Sequence, residues 1–237
     1  MNHLFLGFNG EIGKSIFNEI YNKKDKFILT YNTKKPAINK KNIFLFKIDF
    51  NKNSDVKIKI SKIMKKFEKI DILINNIGNG NPFKSSLELK LGEIEQSMRI
   101  NFYSPLFIIL EFLKKSLAEK KKLNIINIST NTIKFYGSNN NLPYLVSKNA
   151  LEMALLNLSK IYSKKLIKIN IIRPGLIDSN KKINVKNYTR KNFLKRQKLV
   201  PIGKAGDPED IANIVNFLIS NKSKFIFGQT FTVSGGE

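Results

Sequence analysis

Cysteine is absent from the 237 residues, and histidine occurs once, at His3. The first absence excludes disulfides and thiolate metal sites and fits a reducing compartment. The second excludes a zinc centre built on histidines. His3 opens the first apolar run and is read as the start of a strand. Acids are scarce, 18 against 42 lysines and arginines, for a net charge of +24. The longest apolar helical stretch, Phe102 to Leu113, is too short and interrupted to span a bilayer, so no membrane partner is expected. A buried strand starting beside Met1 leaves no room for a secretory leader, and a cytoplasmic location is expected.

So large a positive charge raises the question of nucleic acid. The lysines, however, are scattered over every expected surface among abundant Asn, Ile and Phe, and no aromatic RNA-binding run or helix-turn-helix signature accompanies them. They are read as a solvated surface with no nucleic-acid partner. One segment is concentrated: Asp178 to Asp207 contains no acid between its ends, while Lys181, Lys182, Lys186, Arg190, Lys191, Lys195, Arg196, Lys198 and Lys204 accumulate. Such a segment attracts an anionic substrate, and a general lysine excess produces the same composition.

Apolar runs alternate with helical patterns along the whole chain, which predicts a parallel sheet with helices on both faces. Strands are expected near 3–7, 26–31, 43–48, 71–75, 123–129, 167–173 and 229–233. Helices are expected near 12–23, 54–67, 90–115, 143–165 and 208–220, with a shorter one around 188–197. No linker or repeat divides the sequence, so 1–237 is read as one α/β domain. Turn signals stand at Asn79-Gly80-Asn81-Pro82 and at Asn139-Asn140-Asn141 before Pro143.

Chemistry-bearing residues sit at the strand ends. His3-Leu4-Phe5-Leu6 runs into Gly7-Phe8-Asn9-Gly10-Glu11-Ile12-Gly13 and then an amphipathic helix. Strand, glycine turn and helix present backbone amides and a positive helix terminus to a phosphate. Ile74-Asn75-Asn76-Ile77-Gly78 ends a buried strand, Asn101 lies inside a helical run, and Ile128-Ser129-Thr130 ends another strand in hydroxyls. Tyr144 and Lys148 stand four apart, on one face of a helix. Bringing a phenol from about 10 to about 7 requires roughly 4 kcal/mol of preference for phenolate. One cation about 4 Å away, at an effective dielectric of about 20, supplies about that much.

Taken in order, the glycine turn, the paired asparagines, Asn101, the strand-end hydroxyls, Tyr144-x-x-x-Lys148, Pro174-Gly175-Leu176-Ile177 and the ending Thr232-Val233-Ser234-Gly235-Gly236 resemble the short-chain dehydrogenase/reductase family, over essentially the whole chain. Its members similar to 3-oxoacyl-carrier-protein reductases come nearest. The resemblance implies a single doubly wound Rossmann-like sheet of about seven strands. It also implies hydride transfer between NAD(P) and a carbonyl or secondary alcohol, in a homotetramer or homodimer. Tyr144 would be the acid–base. Lys148 would lower its pKa and hold the nicotinamide ribose. Thr130, aided by Ser129, would donate to the substrate oxygen, and Asn101 would hold a water leading to Lys148. Gly7, Asn9, Ile12, Gly13, Asp49, Asn76, Gly78, Pro174, Gly175 and Ile177 would contact cofactor, as would Tyr144 and Lys148; Asp49 would meet the adenine. The insertion at about 178–200 would cover the substrate, suiting an anionic molecule or an acidic carrier protein.

Several positions depart from the family pattern. Glu11 replaces the middle glycine, Leu6 the preceding threonine, Ile77 a small alanine, Thr130 the usual serine, and Ser234 an aspartate. Glu11 either caps the helix start or repels phosphate. The second strand ends without the acid that holds an NAD ribose, and Lys34 and Lys35 follow, so NADP(H) is expected in preference to NAD(H). A sugar or polyol dehydrogenase is the alternative enzyme, and an idle nucleotide-binding scaffold or sensor the alternative of another class.

Overall fold

The computed structural model describes residues 1–80, 85–137, 141–179 and 189–237. Its centre is one seven-stranded parallel sheet. The strands are β1 Asn2–Leu6, β2 Lys26–Tyr31, β3 Ile43–Lys47, β4 Ile72–Asn75, β5 Leu123–Ile128, β6 Ile167–Pro174 and β7 Thr230–Val233. Their order is β3-β2-β1-β4-β5-β6-β7. The order reverses between β1 and β4, and in open α/β sheets the crevice at such a switch point holds the ligand.

Strand side chains alternate between the two faces. Leu4, Leu6 and Leu73 join Ile125 and Ile169 in one apolar cluster, while Phe5, Ile74, Ile126 and Ile172 join the other. The first face takes Val56 and Ile60 of α2 (Asn53–Lys66), Ile108 and Phe112 of α4 (Ser104–Ala118) and Leu151 and Leu155 of α5 (Leu142–Tyr162). The second takes Ile16 and Phe17 of α1 (Glu11–Ile20) and Ile211 and Val215 of α7 (Pro208–Ile219). Covering on both faces explains why the strands read as continuous apolar runs.

His3 lies in β1 as expected, buried, stacked on Phe27 at 4.7 Å, with Nε2 3.0 Å from Asp25. Burial lowers its pKa against the opposing pull of Asp25.

The helix expected over 90–115 is divided. α3 (Leu91–Met98) passes through a π-helical turn, Arg99–Tyr103, before α4 begins. The helix expected over 143–165, α5, ends at Tyr162, and Ser163–Lys165 tightens into a 3-10 turn. Of the basic segment, α6 (Arg190–Gln197) is described, whereas Lys181, Lys182 and Lys186 lie outside the described residues, as do Asn81, Pro82, Asn139 and Asn140. The charge of α6 is partly answered from elsewhere: Arg190 Nη1 donates to Asp178 Oδ2 at 3.0 Å, and Arg196 pairs with Glu237.

Candidate active site

The glycine turn between β1 and α1 is packed too closely for side chains at two positions. Gly7 has φ +75°, a left-handed conformation glycine adopts at least cost. A Cβ on Gly13 would lie 2.5 Å from the Phe8 carbonyl and 2.9 Å from Asn76 Nδ2. Asn76 is the clamp on this turn, its Nδ2 donating to Gly7 O at 3.0 Å. Thr30 Oγ1 accepts from Gly7 N at 3.1 Å, and Asn9 Nδ2 donates to Lys34 O at 2.5 Å. Glu11 opens α1 and pairs with Lys14 at 2.8 Å, which offsets its charge beside the helix terminus.

Two cavities meet at this turn. One, of about 390 Å³, is lined by Gly10, Glu11, Ile12, Asn76, Ile77 and Gly78 together with Ser129, Thr130, Tyr144, Lys148 and the run Pro174–Ile177. The other, of about 320 Å³, shares Gly10, Asn76, Ile77 and Gly78 and continues past Gly7 and Asn9 to Tyr31, Phe50 and Asn51. A dinucleotide fits this cleft: a cradle without room for Cβ atoms, a helix N-terminus, and a continuous wall across the strand ends. Asp49 stands next to the wall formed by Phe50 and Asn51, and its Oδ1 accepts from Asn51 N at 3.0 Å. Lys34 and Lys35 line a neighbouring cavity of about 720 Å³ that also includes Asn9 and Thr33.

The expected acid–base residues converge. A Cβ on Gly78 would lie 3.8 Å from the Tyr144 hydroxyl and 3.9 Å from Lys148 Nζ, so both groups crowd a position after β4 that carries no side chain. The two groups differ from the simple ammonium–phenol pair expected from spacing. Lys148 is buried, and its Nζ donates to Ile77 O at 3.0 Å and to Ile128 O at 2.6 Å, tying β4 to β5. Burial lowers its pKa to about 8, opposed by the carboxylate of Glu152. Burial pushes Tyr144 up to about 12, against the hydrogen bond from Thr130. Burial is the larger influence on both groups.

The two candidate hydroxyls have parted. Thr130 Oγ1 meets Tyr144, Thr132 Oγ1 at 2.5 Å and Thr132 N at 3.3 Å. Ser129 Oγ instead donates to Glu152 Oε2 at 2.7 Å, inside the protein. Adjacent residues in extended backbone point to opposite sides, so only one of them can face the phenol.

Asn101 is buried within the π-helical turn. Its Oδ1 accepts from Asn79 N at 2.9 Å, and its Nδ2 donates to Asn79 O, Ser97 Oγ and Ser147 Oγ, each at 3.1 Å. The side chain therefore clamps the backbone after β4 to the first turns of α5. Ser147 Oγ also donates to Tyr144 O at 2.9 Å, so this cluster supports the helix from which Tyr144 projects. Behind β6, Gly175 N donates to Val233 O at 2.9 Å, and a Cβ on Gly175 would lie 2.6 Å from that of Ser234. Ser97, Ser147, Glu152 and Arg173 were not anticipated from sequence. Glu152 had a signal: a carboxylate between Leu151 and Leu155 on an inward helix face requires a buried cation.

Comparison with known proteins agrees with this architecture. A family model described as enoyl-(acyl carrier protein) reductase matches residues 11–237. A 3-oxoacyl-(acyl-carrier-protein) reductase from Buchnera aphidicola subsp. Schizaphis graminum is 32% identical over 238 residues, spanning 98% of this chain and 95% of that protein. A 2-dehydro-3-deoxy-D-gluconate 5-dehydrogenase from Formosa agariphila is 31% identical over 195 residues, spanning 81% of this chain and 71% of that one. Among solved structures, a short-chain dehydrogenase family protein from Francisella tularensis subsp. tularensis SCHU S4 superimposes with a TM-score of 0.83 at 22% identity, over 99% of this chain and 97% of that one. The chain belongs to the short-chain dehydrogenase/reductase family and is an oxidoreductase acting between CH–OH and C=O groups.

Proposed function

We propose that the protein is an NADP(H)-dependent reductase of 3-oxoacyl groups presented on an acidic carrier protein, with Tyr144 as the acid–base. The observation that carries this reading is the meeting of Thr130, Tyr144 and Lys148 in a cavity continuous with the glycine cradle. A nicotinamide cofactor, when bound, supplies hydride to the substrate carbon. Thr130 orients the substrate oxygen, and Tyr144, protonated across the physiological range, donates the proton that completes the alcohol. Lys148 fixes the ends of β4 and β5 around them and places a positive charge beside the reacting oxygen. Gly7, Asn9, Ile12, Gly13, Asn76 and Gly78 would hold the cofactor from one side and Pro174, Gly175 and Ile177 from the other, with Asn101 as the brace beneath the site.

The name of the Buchnera relative supports the substrate, and the basic α6 suits an acidic carrier. Lys34 and Lys35, with no acid at the end of β2, support NADP(H) over NAD(H). An exposed apolar stripe on α5, Val146, Met153 and Ile161, supports a homotetramer or homodimer. Among the described residues no helix is long and apolar enough to cross a membrane, and the lack of cysteine suits a cytoplasmic location. We read residues 1–237 as one domain whose lid includes α6. The Formosa relative favours a second reading, a sugar-acid dehydrogenase.

Steady-state assays with NADPH and NADH against 3-oxoacyl thioesters and keto sugar acids separate these. Thioester reduction is expected, with NADPH binding more tightly than NADH and Lys34→Ala/Lys35→Ala removing the difference. Tyr144→Phe should keep cofactor binding and lose about 10²–10⁴-fold in turnover. Turnover of sugar acids alone transfers the protein to the second reading. Cofactor binding without turnover of either makes it a nucleotide sensor.

A further inference from the structure

Glu152 is a carboxylate in the wrong place for stability alone. It sits on α5 one turn beyond Lys148 and two beyond Tyr144, 1% exposed, between the core residues Leu151 and Leu155. Its oxygens are fully committed. Arg173 Nε of β6 donates to Oε1 at 3.0 Å and to Oε2 at 3.2 Å, and Arg173 Nη2 donates to Oε1 at 2.5 Å. Ser129 Oγ completes the set at 2.7 Å. Burying an ion pair costs several kcal/mol per ion, and an apolar pair of the same volume is often as stable or more so. Stability alone therefore does not account for a carboxylate buried beneath the acid–base pair.

We propose that Glu152, locked by Arg173 and Ser129, is a positioning residue that holds the Lys148 ammonium charged and in register with Tyr144. The inference deepens the reading given above and rests on Lys148 serving the proton transfer. The geometry gives it three parts. Arg173 and Ser129 fix the carboxylate rigidly, so its field at Lys148 does not relax. The Ser129 hydroxyl is committed to Glu152, leaving Thr130 as the hydroxyl that meets the phenol. The Lys148 ammonium, deprived of water and offered only the carbonyls of Ile77 and Ile128, gains the negative charge its burial demands.

Among the described residues, the charged and titratable groups around Lys148 are few. Tyr144 and Glu152 face it from α5, and Glu11 of α1 lines the same cavity but pairs with Lys14. Arg173 stands behind Glu152 on β6, with its side chain 23% exposed, so water screens its opposing charge more than that of the enclosed carboxylate. β4 and β5 contribute only carbonyls and hydroxyls.

Two readouts on the full chain test this. The first is titration of Lys148 by nitrogen NMR of the ¹⁵N-lysine protein, with the signal assigned through Lys148→Arg. The second is the pH profile of kcat for carbonyl reduction at saturating NADPH. In Glu152→Gln the Lys148 midpoint is expected to fall by about one pH unit or more. The alkaline limb of kcat should fall with it, and KM for the carbonyl should change little. Glu152→Gln/Arg173→Gln leaves no guanidinium stranded without its carboxylate, so it remains testable if the single variant does not fold. Its midpoint should move in the same direction by a smaller amount. A wild-type Lys148 midpoint in the variants that fold overturns the inference, as does a uniform fall in kcat with an unmoved profile. A shifted midpoint with an unmoved kcat profile upholds Glu152 as the residue that sets Lys148, and refutes instead the part given to Lys148 in proton transfer.

Discussion

Ser129 and Thr130 offer a sharp separation between structural and chemical hydroxyls. Removing the Ser129 hydroxyl deletes one bond to a buried carboxylate, at 2.7 Å, while Arg173 keeps its own contacts with the same group. Hydrogen bonds to charged groups contribute about 1.5–3 kcal/mol, so Ser129→Ala should destabilise by about 2 kcal/mol. For a chain of this size that corresponds to a fall in Tm of roughly 4–8 °C. Its kcat should remain within about threefold of wild type, because no donor to the substrate has been lost. Thr130→Val is nearly isosteric and removes the hydroxyl that meets Tyr144. Thr130 and its partner Thr132 are partly exposed, so the stability cost should stay near or below about 1 kcal/mol. Loss of a donor aimed at the reacting oxygen costs about 10²–10³ in kcat. The assays are thermal denaturation and steady-state reduction with saturating NADPH on the same preparations. If Ser129→Ala loses as much kcat as Thr130→Val while both remain folded, Ser129 is the substrate's partner and the assignment from geometry is wrong.

Gly13→Ala should weaken cofactor binding and destabilise the protein by about 1–3 kcal/mol, since the new methyl meets the Phe8 carbonyl at 2.5 Å; a variant of wild-type stability and affinity would show that the turn yields freely. His3 supplies a pH dependence of folding. Its folded pKa is lowered by burial, so the unfolded chain binds the proton more readily and the stabilising effect of the neutral ring is present above the unfolded value of about 6.5 and is lost as pH falls below it. Thermal denaturation between pH 8 and 5 should therefore show a steeper loss in wild type than in His3→Phe, and parallel curves would refute the assignment. Asp25, lowered to about 2, contributes stability that is lost only at more acid pH, below its usual carboxylate range, so the two effects separate.

The sheet was legible in the sequence because both its faces are covered. Each strand then reads as an unbroken apolar run with a turn at its end, and β2 occupies the expected residues 26–31. The Tyr144–Lys148 spacing and the glycine turn were legible for a related reason: each is a local device whose geometry is set within one helical turn or one tight loop. The break of the long helix at Asn101 was less so. A π-helical turn carries no residue signature of its own, and Asn101 is held by partners at Asn79, Ser97 and Ser147. Only tertiary structure decided which hydroxyl faces Tyr144, because Ser129 turns inward to a carboxylate twenty-three residues further along the chain. It also decided that Asp49 Oδ1 is engaged by Asn51 N and that Arg196 of the basic segment is answered by Glu237. Sequence alone determined which charges and hydroxyls are present and their local spacing. Their protonation and direction depend on burial and on partners brought from distant strands, and desolvation is a property of the folded surroundings that no local pattern carries.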